Sequence, residues 1–155
     1  METIRFDDIE NLRSKISEEF GPWSKPIEVT QDKINQFAAV TGDYQWIHVD
    51  VERAKRESPF GGPVAHGFLT LSLLAAFEYQ NDWRAIGFRS FANYRANKLQ
   101  FISPVPAGAQ IQAHSCIVAV EQRLQGTLIT QETAVHVVGN EKPSLVYEGI
   151  MLYVK

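Results

Sequence analysis

The spacing of apolar residues changes character about halfway along the chain. In the first half it follows helical periods. Ile4, Ile9, Leu12 and Ile16 predict a short amphipathic helix within residues 4–19, capped by Asp7 or Asp8 and stopped at Gly21-Pro22. Residues 25–29 alternate weakly and predict a short strand. Thr30 then offers an N-cap for a helix with Ile34, Phe37, Ala38 and Val40 on one face. That helix ends at Thr41-Gly42, since Gly is favoured just past a helix end, and Asp43 begins a loop. Residues 51–56 form a short charged helix that Ser58-Pro59-Phe60-Gly61-Gly62-Pro63 cannot continue. From Val64 to Phe77 the chain is apolar on every side, which predicts a helix surrounded by protein. At 1.5 Å per residue such a helix would be about 20 Å long.

The second half reads differently. Residues 86–91, 92–101, 109–120, 124–138 and 144–154 are rich in Ile, Val, Thr, Phe and Tyr. Turn-forming stretches separate them at Pro104-Val105-Pro106-Ala107-Gly108, Glu121-Gln122 and Gly139-Asn140. Helices followed by a run of antiparallel strands is the α+β pattern, with a curved sheet able to cover one apolar helix. No internal repeat, low-complexity segment or domain boundary interrupts it, so residues 1–155 are expected to form a single domain.

Composition narrows the function classes. A chain of 155 residues with 45% hydrophobic content can bury about 70% of the surface it exposes when unfolded. The net charge of −3, with Lys and Arg evenly scattered, offers no basic stripe for nucleic acid. The lone Cys116 excludes an internal disulfide, and it is expected to be a small core residue. The charged N-terminus lacks a signal-peptide core, and no apolar run is long enough to span a bilayer. The expectation is a soluble, cytoplasmic protein with neither a nucleic-acid nor a membrane partner.

Candidate chemistry gathers between residues 41 and 76. Asp43 and His48 stand five positions apart in the loop, flanked by the aromatics Tyr44 and Trp46. A carboxylate and an imidazole sharing one water can activate it and return a proton. Equally, Asp43 can make an Asx turn and His48 can bond a backbone carbonyl. Ala65-His66-Gly67 opens the apolar helix, where unpaired N–H groups could receive a carbonyl oxygen gaining charge. The alternative is that Gly67 only permits close packing and that His66 ties the loop to the helix. His48-Val49-Asp50 offers two metal-ligand types but no completing cluster, so no metal site is expected. Ser72 lacks a G-x-S-x-G context, and His114 and His136 lie in strand-like segments as surface or packing residues.

The combined string Gly42-Asp43, His48-x-Asp50 and Phe60-Gly61-Gly62-Pro63-Val64-Ala65-His66-Gly67-Phe68 resembles the MaoC-like dehydratases, which include the (R)-specific enoyl-CoA hydratases. The similarity continues through residues 93–101 and Ser103-Pro104-Val105-Pro106-Ala107-Gly108, and so covers most of the chain from about Thr30 onward. Residues 45–50, QWIHVD, are most similar to the nodulation protein N-like branch.

The resemblance implies a hot-dog fold, with an antiparallel sheet wrapped around a long buried central helix, assembled as a homodimer. It implies hydration of a trans-2-enoyl thioester of coenzyme A, with no cofactor beyond the coenzyme A of the substrate. Asp43 and His48 would hold the water and the Gly67 amide would take the enolate charge. Tyr44, Trp46, His66 and Phe68 would line the substrate site, while Arg89, Arg95 and Lys98 would meet the coenzyme A phosphates. Three positions depart from the hydratase pattern: Gln45-Trp46 replaces Asn-Pro, Ala75 replaces a helix serine, and Gln100 replaces an arginine common in the neighbouring branch. Two other functions stay open, an acyl-CoA thioesterase and a non-catalytic acyl-thioester-binding protein, because the fold alone does not select among them.

Overall fold

The computed structural model describes residues 1–155. Its frame is one antiparallel sheet built from strands β2 (Ile27–Val29), β4 (Ser90–Phe101), β5 (Ala109–Arg123), β6 (Gly126–Val137) and β7 (Leu145–Val154), in the spatial order β2-β5-β6-β7-β4. Helix α5 (Gly67–Ser72), extended by a tight 3₁₀ turn at Leu73–Ala76, packs on it. Leu69 joins Ile111, Ala113, Val135 and Leu145 of the sheet in the main core cluster. This is the hot-dog arrangement, an α+β fold.

Helices α2 (Gln31–Thr41), α3 (Trp46–Val49) and α4 (Val51–Glu57) lie between β2 and α5 in the chain. Helix α2 forms where its caps predict. The Thr30 hydroxyl accepts from the Lys33 N–H at 3.2 Å, and Gly42 closes the other end at φ 77°, a left-handed conformation that a Cβ disfavours. Ile34 and Ala38 are fully buried, but Val40 is 81% exposed and does not share their face.

Four expectations fail in instructive ways. The N-terminal helix spans only α1 (Ile9–Arg13), capped by Asp8. Residues 2–5 instead form strand β1 (Glu2–Arg5), paired in parallel with β3 (Trp83–Ile86), which buries Ile4 in a second core cluster. The strand expected at 86–91 does not form as one: β3 ends at Ile86, Gly87 follows with φ 80°, and Ser90 and Phe91 already belong to β4. Strand β5 runs through Glu121 and Gln122, and the hairpin tip is Leu124-Gln125, between paired Arg123 and Gly126.

The fourth concerns the central helix. It begins at Gly67 rather than Val64, because Val64 bridges Pro106 and the Ala65 N–H donates to the Val105 carbonyl at 2.8 Å. At ten residues, including the 3₁₀ turn, it is about 15 Å long. Within the single chain only Leu69 and Thr70 of it are buried, while Phe68 is 62% exposed. One side of this apolar element faces the sheet and the other is open.

Candidate active site

The loop after α2 and the entrance to α5 meet at one point. Gly42 reverses the chain, and Asp43 follows with its Oδ1 accepting from the Gln45 N–H at 3.3 Å. That Asx-type turn starts α3, which carries His48 inward to 7% exposure. A side-chain donor missed at the level of sequence, Gln31 at the start of α2, holds the His48 carbonyl at 2.7 Å. From the other side, the Val64 N–H donates to Ile47 O at 3.1 Å, joining α3 to the segment before α5.

Hydrogen bonding selects the histidine tautomers. His48 Nδ1 lies 2.6 Å from the Val64 carbonyl, which can only accept, so Nδ1 carries the proton and Nε2 presents a lone pair. His66 Nε2 likewise donates to the Asp43 carbonyl at 2.9 Å, fastening the loop to the helix entrance. Its Nδ1 is buried without a partner. The two imidazoles stack with centroids 3.9 Å apart, and Phe37 packs on His66 at 5.0 Å. Burial is the largest cause holding the His48 pKa below its usual value; the Val64 bond opposes it, His66 adds to it and Asp43 opposes it.

Asp43, His48 and His66 each offer one donor atom within 4.8 Å of the other two. Asp50, the other carboxylate considered beside His48, is used elsewhere: its Oδ1 caps α4 by accepting from the Arg53 N–H at 3.0 Å. The two rings lie 27° from parallel, and the three donor atoms are of types that a metal ion can use. An exposed carboxylate beside a buried, neutral imidazole is suited to holding and deprotonating a water.

Gly67 is the first residue of α5, where a helix leaves its N–H groups unpaired. A Cβ built there would lie 2.7 Å from the ring of Phe101, so glycine is also required by packing. Phe101, a second residue the sequence did not single out, comes from β4 and tilts against Phe68 at 5.5 Å. The close approach to Phe101 accounts for the packing reading of Gly67.

The other expected substrate residues divide. Tyr44 stands 60% exposed in the loop, and Trp46 is half-buried with the Arg53 guanidinium 4.3 Å above its ring. His66 is only 3% exposed and is occupied by the Asp43 carbonyl, a tie and not a surface. Arg95 and Lys98 do not join the loop cluster; they stand exposed on β4, with Arg95 5.8 Å over the Tyr94 ring. Arg89 donates its backbone N–H to Val154 O just before β4. A cavity of about 610 Å³ lies farther along α5, between it and strands β4, β6 and β7.

His114 is stacked between Phe20 and Trp23, at 4.2 and 3.8 Å, and is a packing residue. Cys116 is buried, and burial pushes its thiol pKa up. No helix is long and apolar enough to cross a membrane.

Comparison with known proteins identifies the family. The family described as MaoC like domain matches residues 15–140. The chain is 42% identical over 150 residues to 3-hydroxyacyl-thioester dehydratase Z of Mycobacterium tuberculosis, covering 96% of this chain and 97% of that protein. It is 36% identical over 143 residues to nodulation protein N of Rhizobium leguminosarum, covering 92% and 88%. Among solved structures, the monoamine oxidase regulatory protein from Archaeoglobus superposes with a TM-score of 0.74 at 25% identity, covering 100% of this chain and 97% of that one.

Proposed function

This chain belongs to the MaoC-like dehydratase family and is a hydro-lyase, and we propose that it adds water reversibly across a trans-2-enoyl thioester of coenzyme A. The observation that carries the reading is the tautomer of His48. Its Nδ1–H is committed to Val64 O, leaving Nε2 as the acceptor beside the Asp43 carboxylate.

Water held between Asp43 and His48 would lose a proton to His48 Nε2 as its oxygen bonds C3. The electron pair of the C2–C3 double bond then moves toward the thioester, and charge gathers on its oxygen. The Gly67 N–H would donate to that oxygen. Return of the proton to C2 gives the 3-hydroxyacyl thioester, with the thioester bond intact. The acyl chain would extend into the cavity along α5, and the enzyme would work as a homodimer through the open face of α5 and the edge strand β4.

A direct assay tests this with short and medium trans-2-enoyl-CoA thioesters, following loss of enoyl absorbance, product stereochemistry and free thiol separately. The (R)-3-hydroxyacyl thioester without thiol release is expected; thiol release would instead indicate a thioesterase. Asp43→Asn and His48→Ala are each expected to abolish turnover while circular dichroism still reports a folded sheet. Wild-type rates in both would refute the mechanism. Ligand binding to the unmodified protein with no turnover of any thioester would favour a binding protein.

A further inference from the structure

Successive residues of a strand point to opposite faces, so Ile129, Gln131, Thr133 and Val135 of β6 share one face. Ile129 and Val135 belong to the two apolar core clusters. Gln131 and Thr133 are polar residues set between them.

Thr133 is 4% exposed, and its side chain bonds Tyr79, whose hydroxyl pKa is pushed up to about 12 by burial despite that bond. Gln131 has less. Its single hydrogen bond is a long one, Nε2 to Thr133 Oγ1 at 3.5 Å, although a carboxamide offers two donor hydrogens and an accepting oxygen. The group opens into the 610 Å³ cavity beside α5, and also lines a second of about 690 Å³ that continues past Phe91 toward residues 80–85. Around it the first cavity is walled by Leu74, Ala75 and Met151, with Asn93 and Thr133 as further polar groups. Half-buried and open to the cavity, the Gln131 amide keeps hydrogen-bonding capacity that a ligand there could use in place of water.

The position matches the direction of the substrate. Leu71 lies one turn beyond Gly67 and Ala75 two turns, and both line the cavity. In the hydration reading, an acyl chain that ran from Gly67 along α5 into this cavity would meet Gln131 on its wall.

We propose that Gln131 is a specificity-determining residue that hydrogen-bonds an oxygen substituent, a hydroxyl or carbonyl, on the distal part of the acyl chain. The preferred substrates are then enoyl thioesters oxygenated away from the reacting carbons, not plain alkyl ones. This rests on the hydration reading above. An amide both donates and accepts, so it serves either oxygen function. A plain alkyl chain in its place would leave the amide unpaired.

The test is a pair of trans-2-enoyl-CoA thioesters of equal medium length, one carrying a distal hydroxyl and one not. In the unmodified protein kcat/KM should favour the hydroxylated member by about tenfold, the equivalent of one well-made hydrogen bond. Gln131→Leu should erase or reverse that preference, and Gln131→Met serves if the leucine variant does not fold. Equal rates, or an alkyl preference, in the unmodified protein would overturn the inference while leaving hydration standing. A preference that survives in the folded variant would overturn the role of Gln131. Failure of both thioesters to react would overturn hydration and this inference together.

Discussion

In the proposed mechanism His48 acts as a base only while it is neutral, and its surroundings favour that state. Burial, the largest effect, holds its pKa below the usual 6.5. A lowered pKa keeps the lone pair on Nε2 available at a more acidic pH than a free histidine would allow. Turnover should therefore be fully present above pH 6.5 and be lost as the pH falls through the lowered value. A profile of log kcat/KM against pH checks this; an acid limb with its midpoint at or above 6.5 would contradict it. Gly67 gives a second residue-level prediction. Gly67→Ala drives a methyl into the Phe101 ring, costing about 1–3 kcal/mol by overpacking. Combining it with Phe101→Ala should recover part of the clash, because the two changes share one contact. If Gly67 matters only for packing, the double variant regains activity as well as melting temperature. If its amide holds the thioester oxygen, the amide survives in Gly67→Ala but is displaced with the helix start. Both Asp43 and His48 were legible because their types and spacing lie within six residues. Gln31 and Phe101 were not, since each reaches the site from another element, 17 and 34 positions from the residue it supports.

Helix α2 sets the position of the loop that carries Asp43 through its two ends. Thr30→Ala removes the Lys33 N–H acceptor and should cost about 1 kcal/mol. Gly42→Ala is expected to cost more because φ is 77°, a conformation worth about 1–2 kcal/mol against an L side chain. It should also lower kcat, since residue 42 aims the Asp43 turn. Chemical denaturation and initial rates separate the two: Thr30→Ala moves stability, Gly42→Ala moves both. This helix was legible because both signals are local. The apolar run 64–77 misled about its start because its residues answer to different partners. Val64 bridges Pro106 and Ala65 bonds Val105, so the backbone stays extended where composition alone favours helix. The N-terminus misled for a related reason, since Ile4 fits a helical spacing but is claimed by parallel pairing with residue 85.

At the scale of the whole molecule the unanswered surface is the most informative. Strand β4 is a twelve-residue sheet edge, exposed at every position but Leu99, and it displays Phe91, Tyr94 and Phe101. Long apolar edges invite pairing with another chain. The open side of α5 adds Phe68 to the same uncovered apolar surface. Antiparallel pairing of β4 with the β4 of a second copy would continue the sheet across a two-fold axis and lay the two α5 helices together. The apolar character of residues 64–77 on every side would then describe the assembly, in which the partner supplies the cover that one chain lacks. Sedimentation should give a dimer at micromolar concentration, and the melting temperature should rise with protein concentration because folding and association are linked. Tyr94→Glu places like charges close to their own symmetry mates in such an interface, so it should shift the equilibrium toward monomer and lower the melting temperature. A wild-type chain that sediments as a monomer at all concentrations, with a melting temperature independent of concentration, would refute the pairing. It would leave the exposed faces of β4 and α5 to be explained by some other covering element.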